Sequence, residues 1–182
     1  MPAPGDSVPE SGRLIVRPAR PADVDEVARI QLDTWRIGYE RFLPPAVLDQ
    51  LTLELARSSW AAAIGAPPSP RHHVLVAQEH DWTVGFAALG PDDDDDDDSI
   101  GTIATLLVEP RWGRRGHGSR LLAAATDHLR GDGFGTVTTW IYDRDQPSRN
   151  FFTSAGWAPD GLARTLDADG SELREIRLHT EL

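Results

Sequence analysis

The stretch from Thr105 to Leu122 reads TLLVEPRWGRRGHGSRLL, and its residue types are those that hold an anion. Strand-forming residues end at Val108, a loop with Gly113, Gly116 and Gly118 follows, and a helix is expected to begin near Gly118. Successive backbone N–H groups from Arg114 to Ser119 would then point into one concavity, with the positive end of the helix dipole behind it. Gly116 and Gly118 carry no Cβ, so an anion could approach the backbone closely there. Arg111, Arg114, Arg115 and Arg120 place four cations within ten residues that include no acid, which suits phosphate. The chain contains no lysine, so a P-loop is excluded, and Leu121 follows Arg120 where a dinucleotide fingerprint needs its third glycine. The plain alternative is a glycine-rich turn whose arginines are solvated.

Composition removes other chemistries. No cysteine occurs among the 182 residues, which rules out disulfides, thiolate nucleophiles and Cys-based metal sites. All 18 basic residues are arginine, so Schiff-base chemistry is excluded as well. His72, His73 and His80 flank an expected strand without a carboxylate at ligand spacing, and no metal site is expected. The formal charge of -11 argues against non-specific nucleic-acid binding. That charge is uneven: Asp92 to Asp98 supply seven of the 29 acids, and the remaining 22 nearly balance the arginines. Repulsion among like charges favours a solvated, disordered hairpin loop for this run. Two other readings are a collector of cationic substrates and a calcium loop, the latter disfavoured because the run lacks a glycine and spaced ligands.

The elements that must position these residues follow from periodicity. The opening MPAPGDSVPESG lacks the basic start and apolar middle of a secretory signal, so residues 1–12 are expected to be a flexible tail and 13–182 one domain, cytoplasmic. No apolar run approaches the ~20 residues that cross a bilayer, so no membrane association is expected. Leu14 to Val16 reads as a strand, and Val24, Val27, Ala28, Gln31 and Trp35 line one face of a helix opened by Pro21. A second helix is expected from Pro45 to Ile64. Val74 to Ala77, Val84 to Leu89 and Ile100 to Val108 read as an antiparallel meander, with the Asp run between the second and third strands. A helix from Gly118 to Leu129, a strand from Thr136 to Tyr142 and a short helix from Pro147 to Ala155 come next. Two weaker strands, Leu162 to Leu166 and Leu173 to Leu178, end the chain. The order is that of a single α/β (α+β) domain with a mixed sheet.

At this point the chain resembles the GNAT-superfamily N-acetyltransferases. Val108-Glu109-Pro110 followed by Gly113-Arg114-Arg115-Gly116-His117-Gly118 is similar to that family's R/Q-x-x-G-x-G/A signature after a strand ending in V-x-P, except that Gly113 stands where Arg or Gln is usual. Trp140 to Trp157 resembles the family's downstream strand and N-x-x-A-x-x-F-Y-x-x-x-G-F segment, and VRPARPADVDEVARIQLDTWRIGY resembles its opening strand and helix. The resemblance covers Arg13 to the C-terminus. It implies a mostly antiparallel mixed central sheet flanked by helices, and acetyl-CoA as co-substrate without a metal.

The resemblance also implies roles. Coenzyme A would bind at a splay between the strands ending at Val108 and Tyr142, contacting Leu107, Val108, Arg114, Arg115, Gly116, His117, Gly118, Ser119, Arg120, Asp145 and Phe152. Acetyl would pass directly to a primary amine of a small molecule or peptide, with the backbone N–H of Leu107 or Val108 as oxyanion donor. Phe152 stands where the family has its acidic tyrosine, Thr102 where many relatives have a carboxylate, and Asp145 where an asparagine is usual. Tyr142, Tyr39 and Ser154 are therefore candidate substitutes, while His117 is expected to be an exposed loop side chain. Trp35 and Tyr39, one helical turn apart, would border the acceptor. The six tryptophans are otherwise expected in the core or the cofactor groove. A homodimer is compatible with the resemblance, and a non-catalytic acyl-CoA sensor that lost acid and base is the alternative function.

Overall fold

The computed structural model describes residues 14–41 and 43–182; the expected tail, residues 1–12, lies outside them. Seven strands form one sheet in the order β1-β2-β3-β4-β5-β7-β6. Strand β1 (Leu14–Pro18) pairs antiparallel with β2 (His73–Glu79) after a helical excursion, and β2, β3 (Trp82–Pro91) and β4 (Ile100–Val108) form an antiparallel meander joined by polar turns between apolar runs. β5 (Thr136–Tyr142) lies parallel to β4, because a helix intervenes and returns the chain to the starting end. β6 (Ala158–Ala168) and β7 (Ser171–Glu181) form a long hairpin whose second strand pairs with β5. Both extend well beyond their expected bounds, since the outer hairpin alternates exposed and half-buried residues instead of forming apolar runs.

Two cores form, one on each face. Helix α4 (His117–Gly131) lays Leu121, Leu122, Ala125 and Leu129 on Leu75, Leu89, Ile103, Val137 and Leu178. On the opposite face α1 (Val24–Tyr39) sets Val27, Ala28 and Ile30 against Val76 and Phe86. The expected second helix is two: α2 (Pro45–Asp49) and α3 (Leu53–Gly65). The break comes at Thr52, whose hydroxyl accepts the Leu55 N–H at 3.2 Å and starts a new helix. Trp60 of α3 packs edge-on to Phe86 with ring centroids 4.9 Å apart, and its indole N–H donates to Gln31 Oε1 at 2.8 Å. Helix α5 (Gln146–Ser154) closes the α4 face.

The Asp run is exposed at Asp93, Asp94 and Asp96 to Asp98, as expected of a solvated loop, but it is also tied to the sheet. Asp92 is buried, its Oδ2 accepting the Thr138 hydroxyl at 2.6 Å, and Asp94 pairs with Arg164 at 2.8 Å. Asp95 lies 3.5 Å from Arg177, and the Asp95 and Asp97 carboxylates accept the N–H groups of Asp97 and Ser99. Arginines from β6 and β7 offset the repulsion that the run would suffer alone. The tryptophans also divide: Trp60 and Trp157 are buried, whereas Trp82 is exposed on its strand with Arg111 above the ring.

Candidate active site

Strands β4 and β5 pair only where Ile100, Gly101 and Thr102 face Thr136, Val137 and Thr138. Two side chains mark the end of that contact: Thr102 Oγ1 donates to Thr138 O at 3.2 Å and Thr139 Oγ1 to Ile103 O at 2.8 Å. Beyond them the strands part and leave a gap through the sheet. The gap's β4 side can be assigned from the β3 ladder. Glu109 N–H donates to Val84 O at 2.9 Å, and Leu107 stands opposite Phe86 two residues earlier. Since N–H groups alternate sides along an antiparallel strand, Leu107 N–H belongs to the β3 ladder while Val108 N–H faces the gap. Of the two expected donors, only Val108 has its N–H available there.

Helix α4 begins beside this gap, at His117. Its N-cap, Gly116, has φ +82°, and Arg114 has φ +63°, a left-handed conformation that costs a non-glycine residue roughly 1 kcal/mol. A Cβ on Gly118 would lie 3.3 Å from Phe151, so glycine permits α5 to pack against the start of α4. Between these parts is a cavity of about 450 Å³ lined by Leu106, Val108 and Trp112, by Gly113, Arg114 and Gly116 to Ser119 of the loop, and by Phe151 and Phe152 among others. Phe152 is buried, edge-on to Phe151 and Trp157.

A carboxylate holds the loop from behind. Glu79, the last residue of β2, accepts His117 Nε2–H at 2.8 Å through one oxygen and Arg115 Nη1–H at 3.1 Å through the other. His117 is 2% exposed, which corrects the expected exposed side chain. Desolvation pushes the Glu79 pKa up, but the bonds and charge of His117 and Arg115 outweigh it and hold the carboxyl below its usual range. Arg115 also stacks over Trp112 at 4.9 Å, and Arg120 donates to Arg115 O at 3.3 Å. Of the four loop arginines, only Arg114 lines the cavity among the described residues. Asp145 lies outside that lining: it caps α5, accepting Ser148 N–H at 3.1 Å and the Ser148 hydroxyl at 2.6 Å.

On the opposite face Tyr142 meets the helical pair. Its ring lies 6.3 Å from that of Tyr39, which lies 6.2 Å from that of Trp35. Burial, reinforced by the negative charges of Glu175 and Asp145, pushes the Tyr39 phenol up to about 12. Ser154 turns its hydroxyl to Phe151 O at 2.8 Å, so its bond is spent within the helix. A second cavity of about 400 Å³ covers this side of the sheet, lined by Thr102, Ala104, Trp140, Arg164, Glu175 and the Asp92–Asp94 loop among others. Arg164 and Glu175 were missed from the sequence, because strand order, not local spacing, brings β6 and β7 beside β5. Among the described residues no group of three or more His, Asp or Glu could hold a metal ion.

A gap between two parallel strands, with a glycine-rich loop and helix N-terminus on one side, defines an acetyltransferase class, and the sequence agrees: the Acetyltransferase (GNAT) family model matches residues 25–157, so the chain belongs to that family. It is 28% identical over 168 residues to YuaI, described as an uncharacterized N-acetyltransferase of Bacillus subtilis (strain 168), covering 91% of each chain. Its fold is similar to that of the PaiA N-acetyltransferase from Thermoplasma acidophilum, solved with coenzyme A, with TM-score 0.73 and 14% identity over 93% of this chain and 99% of that one. The ribosomal-protein-alanine N-acetyltransferase from Brucella melitensis gives TM-score 0.73 and 21% identity over 92% and 99%. Among the described residues no helix is long and apolar enough to cross a membrane.

Proposed function

We propose that the protein transfers acetyl from acetyl-CoA directly to a primary amine of a small molecule or peptide. The observation that carries this reading is the Val108 N–H facing the β4–β5 gap beside the glycine cradle. The cradle fits a pyrophosphate: Gly116 and Gly118 leave backbone N–H groups open on a 450 Å³ cavity, and Arg114 adds a cation at its rim. The coenzyme supplies a thioester, whose C–S bond breaks as the amine nitrogen forms the new C–N bond. Val108 N–H stabilises the charge that develops on the carbonyl oxygen, an interaction stronger in the transition state than in the ground state. Tyr142, buried on β5, returns a proton to the leaving thiolate in this reading, a role that Phe152 has no proton to fill. Trp35 and Tyr39 border the amine's side of the sheet.

The test is thermal unfolding with coenzyme A. A ligand at 100 times its Kd stabilises the fold by ~2.7 kcal/mol, so Tm rises, and Gly116→Glu abolishes the rise by filling the cradle. Absence of any shift in the wild type overturns the reading. Phe152 and Thr102, which lack the usual acid and base, favour a second reading, a non-catalytic sensor of acyl-CoA. Coenzyme binding without thiol release in the presence of any amine selects it.

A further inference from the structure

We propose that Glu175 on β7 takes the proton from the acceptor ammonium, the role left open by Thr102. This rests on the acetyl-transfer reading above. Transfer requires a neutral amine, and the carboxylates around the gap are mostly committed to other partners. Asp92 accepts the Thr138 hydroxyl, Asp94 pairs with Arg164, and Asp145 caps α5. Asp143 pairs with Arg149, and Glu109 lies between Arg29 and Arg111. Asp94 and Glu175 each keep one oxygen without a hydrogen bond among the described residues, but Asp94 is 58% exposed on its loop, whereas Glu175, whose Oε2 accepts Arg164 Nε–H at 2.7 Å, is held within the sheet. Its side chain is 17% exposed and lines the 400 Å³ cavity.

Its place in the sheet is suited to the task. Glu175 stands opposite Tyr142 in the β5–β7 ladder, so the two side chains share a face, with Cα atoms roughly 5 Å apart. Continuing the parallel register of Thr102 with Thr138 would bring Tyr142 level with Leu106, beside the gap. Glu175 is therefore one strand beyond the gap, at its height, on the face away from the glycine loop. The negative charge that Tyr39 feels from Glu175 agrees with that closeness.

Glu175 removes one proton from R–NH3⁺, leaving a lone pair that forms the C–N bond as the C–S pair departs on sulfur. The nitrogen's second proton ends on the thiolate, and the Glu175 proton passes to water after turnover. Arg164, itself held by Asp94 and lying 4.3 Å over the Trp140 ring, fixes the orientation of the carboxylate. The other titratable groups on this cavity and cleft are Asp92 and Asp93 from the loop, His72 and His73 at β2, Tyr39 from α1 and Tyr142 from β5.

The experiment measures acetyl-CoA-dependent thiol release against a panel of primary amines from pH 6 to 10. Wild-type kcat/KM for the amine holds a plateau below the pKa of the amine, because the bound ammonium is deprotonated on the enzyme. Glu175→Gln lowers kcat/KM at pH 7 by about 100-fold. The loss narrows as pH rises, log kcat/KM climbing with a slope of about one as solution supplies neutral amine. Glu175→Asp keeps the plateau, and coenzyme A binding unchanged in both variants shows that they fold. A Glu175→Gln enzyme with the wild-type rate, or with equal loss at every pH, overturns the assignment alone. A wild type that turns over no amine overturns the transfer reading together with it.

Discussion

Tyr39 and Tyr142 are the chain's two tyrosines, and they report on the cleft separately. In a Tyr142→Phe variant the ultraviolet titration of phenolate isolates Tyr39, whose midpoint is expected at about 12, well above the ordinary value of 10.0. A midpoint near 10 would mean that burial and the charge of Glu175 do not reach it. The same shift has a stability consequence. A raised tyrosine pKa stabilises the fold below the unfolded value and loses that contribution as pH rises through the folded one, so the effect is confined to strongly alkaline solution. Gly118 gives a steric prediction on the same scale. Gly118→Val places new carbons against Phe151, where a Cβ alone would already stand at 3.3 Å, and coenzyme A titration is expected to show at least tenfold weaker binding.

Among the elements, the glycine loop was the most legible in the sequence and its support the least. The conformations of Gly116 and the start of α4 depend on adjacent residues, so spacing alone shows them. Glu79 lies 38 residues from His117 in the chain, and only the pairing of β2 with β3 and the packing of α4 over both bring them together. Burial of His117 was hidden for that reason. The break between α2 and α3 depends instead on a local signal, Thr52 before Leu53-Glu54-Leu55, overlooked because the apolar spacing runs on from Leu48 through Leu55. If Glu79 holds the loop in place, Glu79→Ala raises the Kd for coenzyme A about tenfold, the cost of ordering a loop otherwise held by two charged hydrogen bonds. Thr52→Ala, far from the loop, costs ~1 kcal/mol of stability without changing that Kd. Calorimetric titration and urea unfolding distinguish the two outcomes.

At the scale of the molecule, the acidic run ties the outer hairpin to the sheet. Asp92 through Thr138, Asp94 through Arg164 and Asp95 through Arg177 connect the β3–β4 loop with β5, β6 and β7. Asp92→Ala leaves the buried Thr138 hydroxyl without that bond and is expected to cost about 1–3 kcal/mol in urea unfolding. The net charge of -11 is thus unevenly spread, with an acidic strap before β4 and a basic loop after it. Acid stability follows from other pairs. Hydrogen bonds from Arg17 outweigh burial and hold Asp23 low; desolvation pushes Glu109 up, but Arg29 and Arg111 bring it down. Depressed carboxyls stabilise the fold above their unfolded values near ~4 and lose that contribution as pH falls through the folded ones, so the urea midpoint should hold to about pH 5 and drop below pH ~4. The central claim is the position of the thioester in the sheet, and a crystal structure with acetyl-CoA tests it most directly. The pyrophosphate is expected on the N–H groups of Arg114 to Ser119 and the carbonyl oxygen about 3 Å from Val108 N. A coenzyme bound away from the β4–β5 gap, or with its carbonyl turned from Val108, would contradict it.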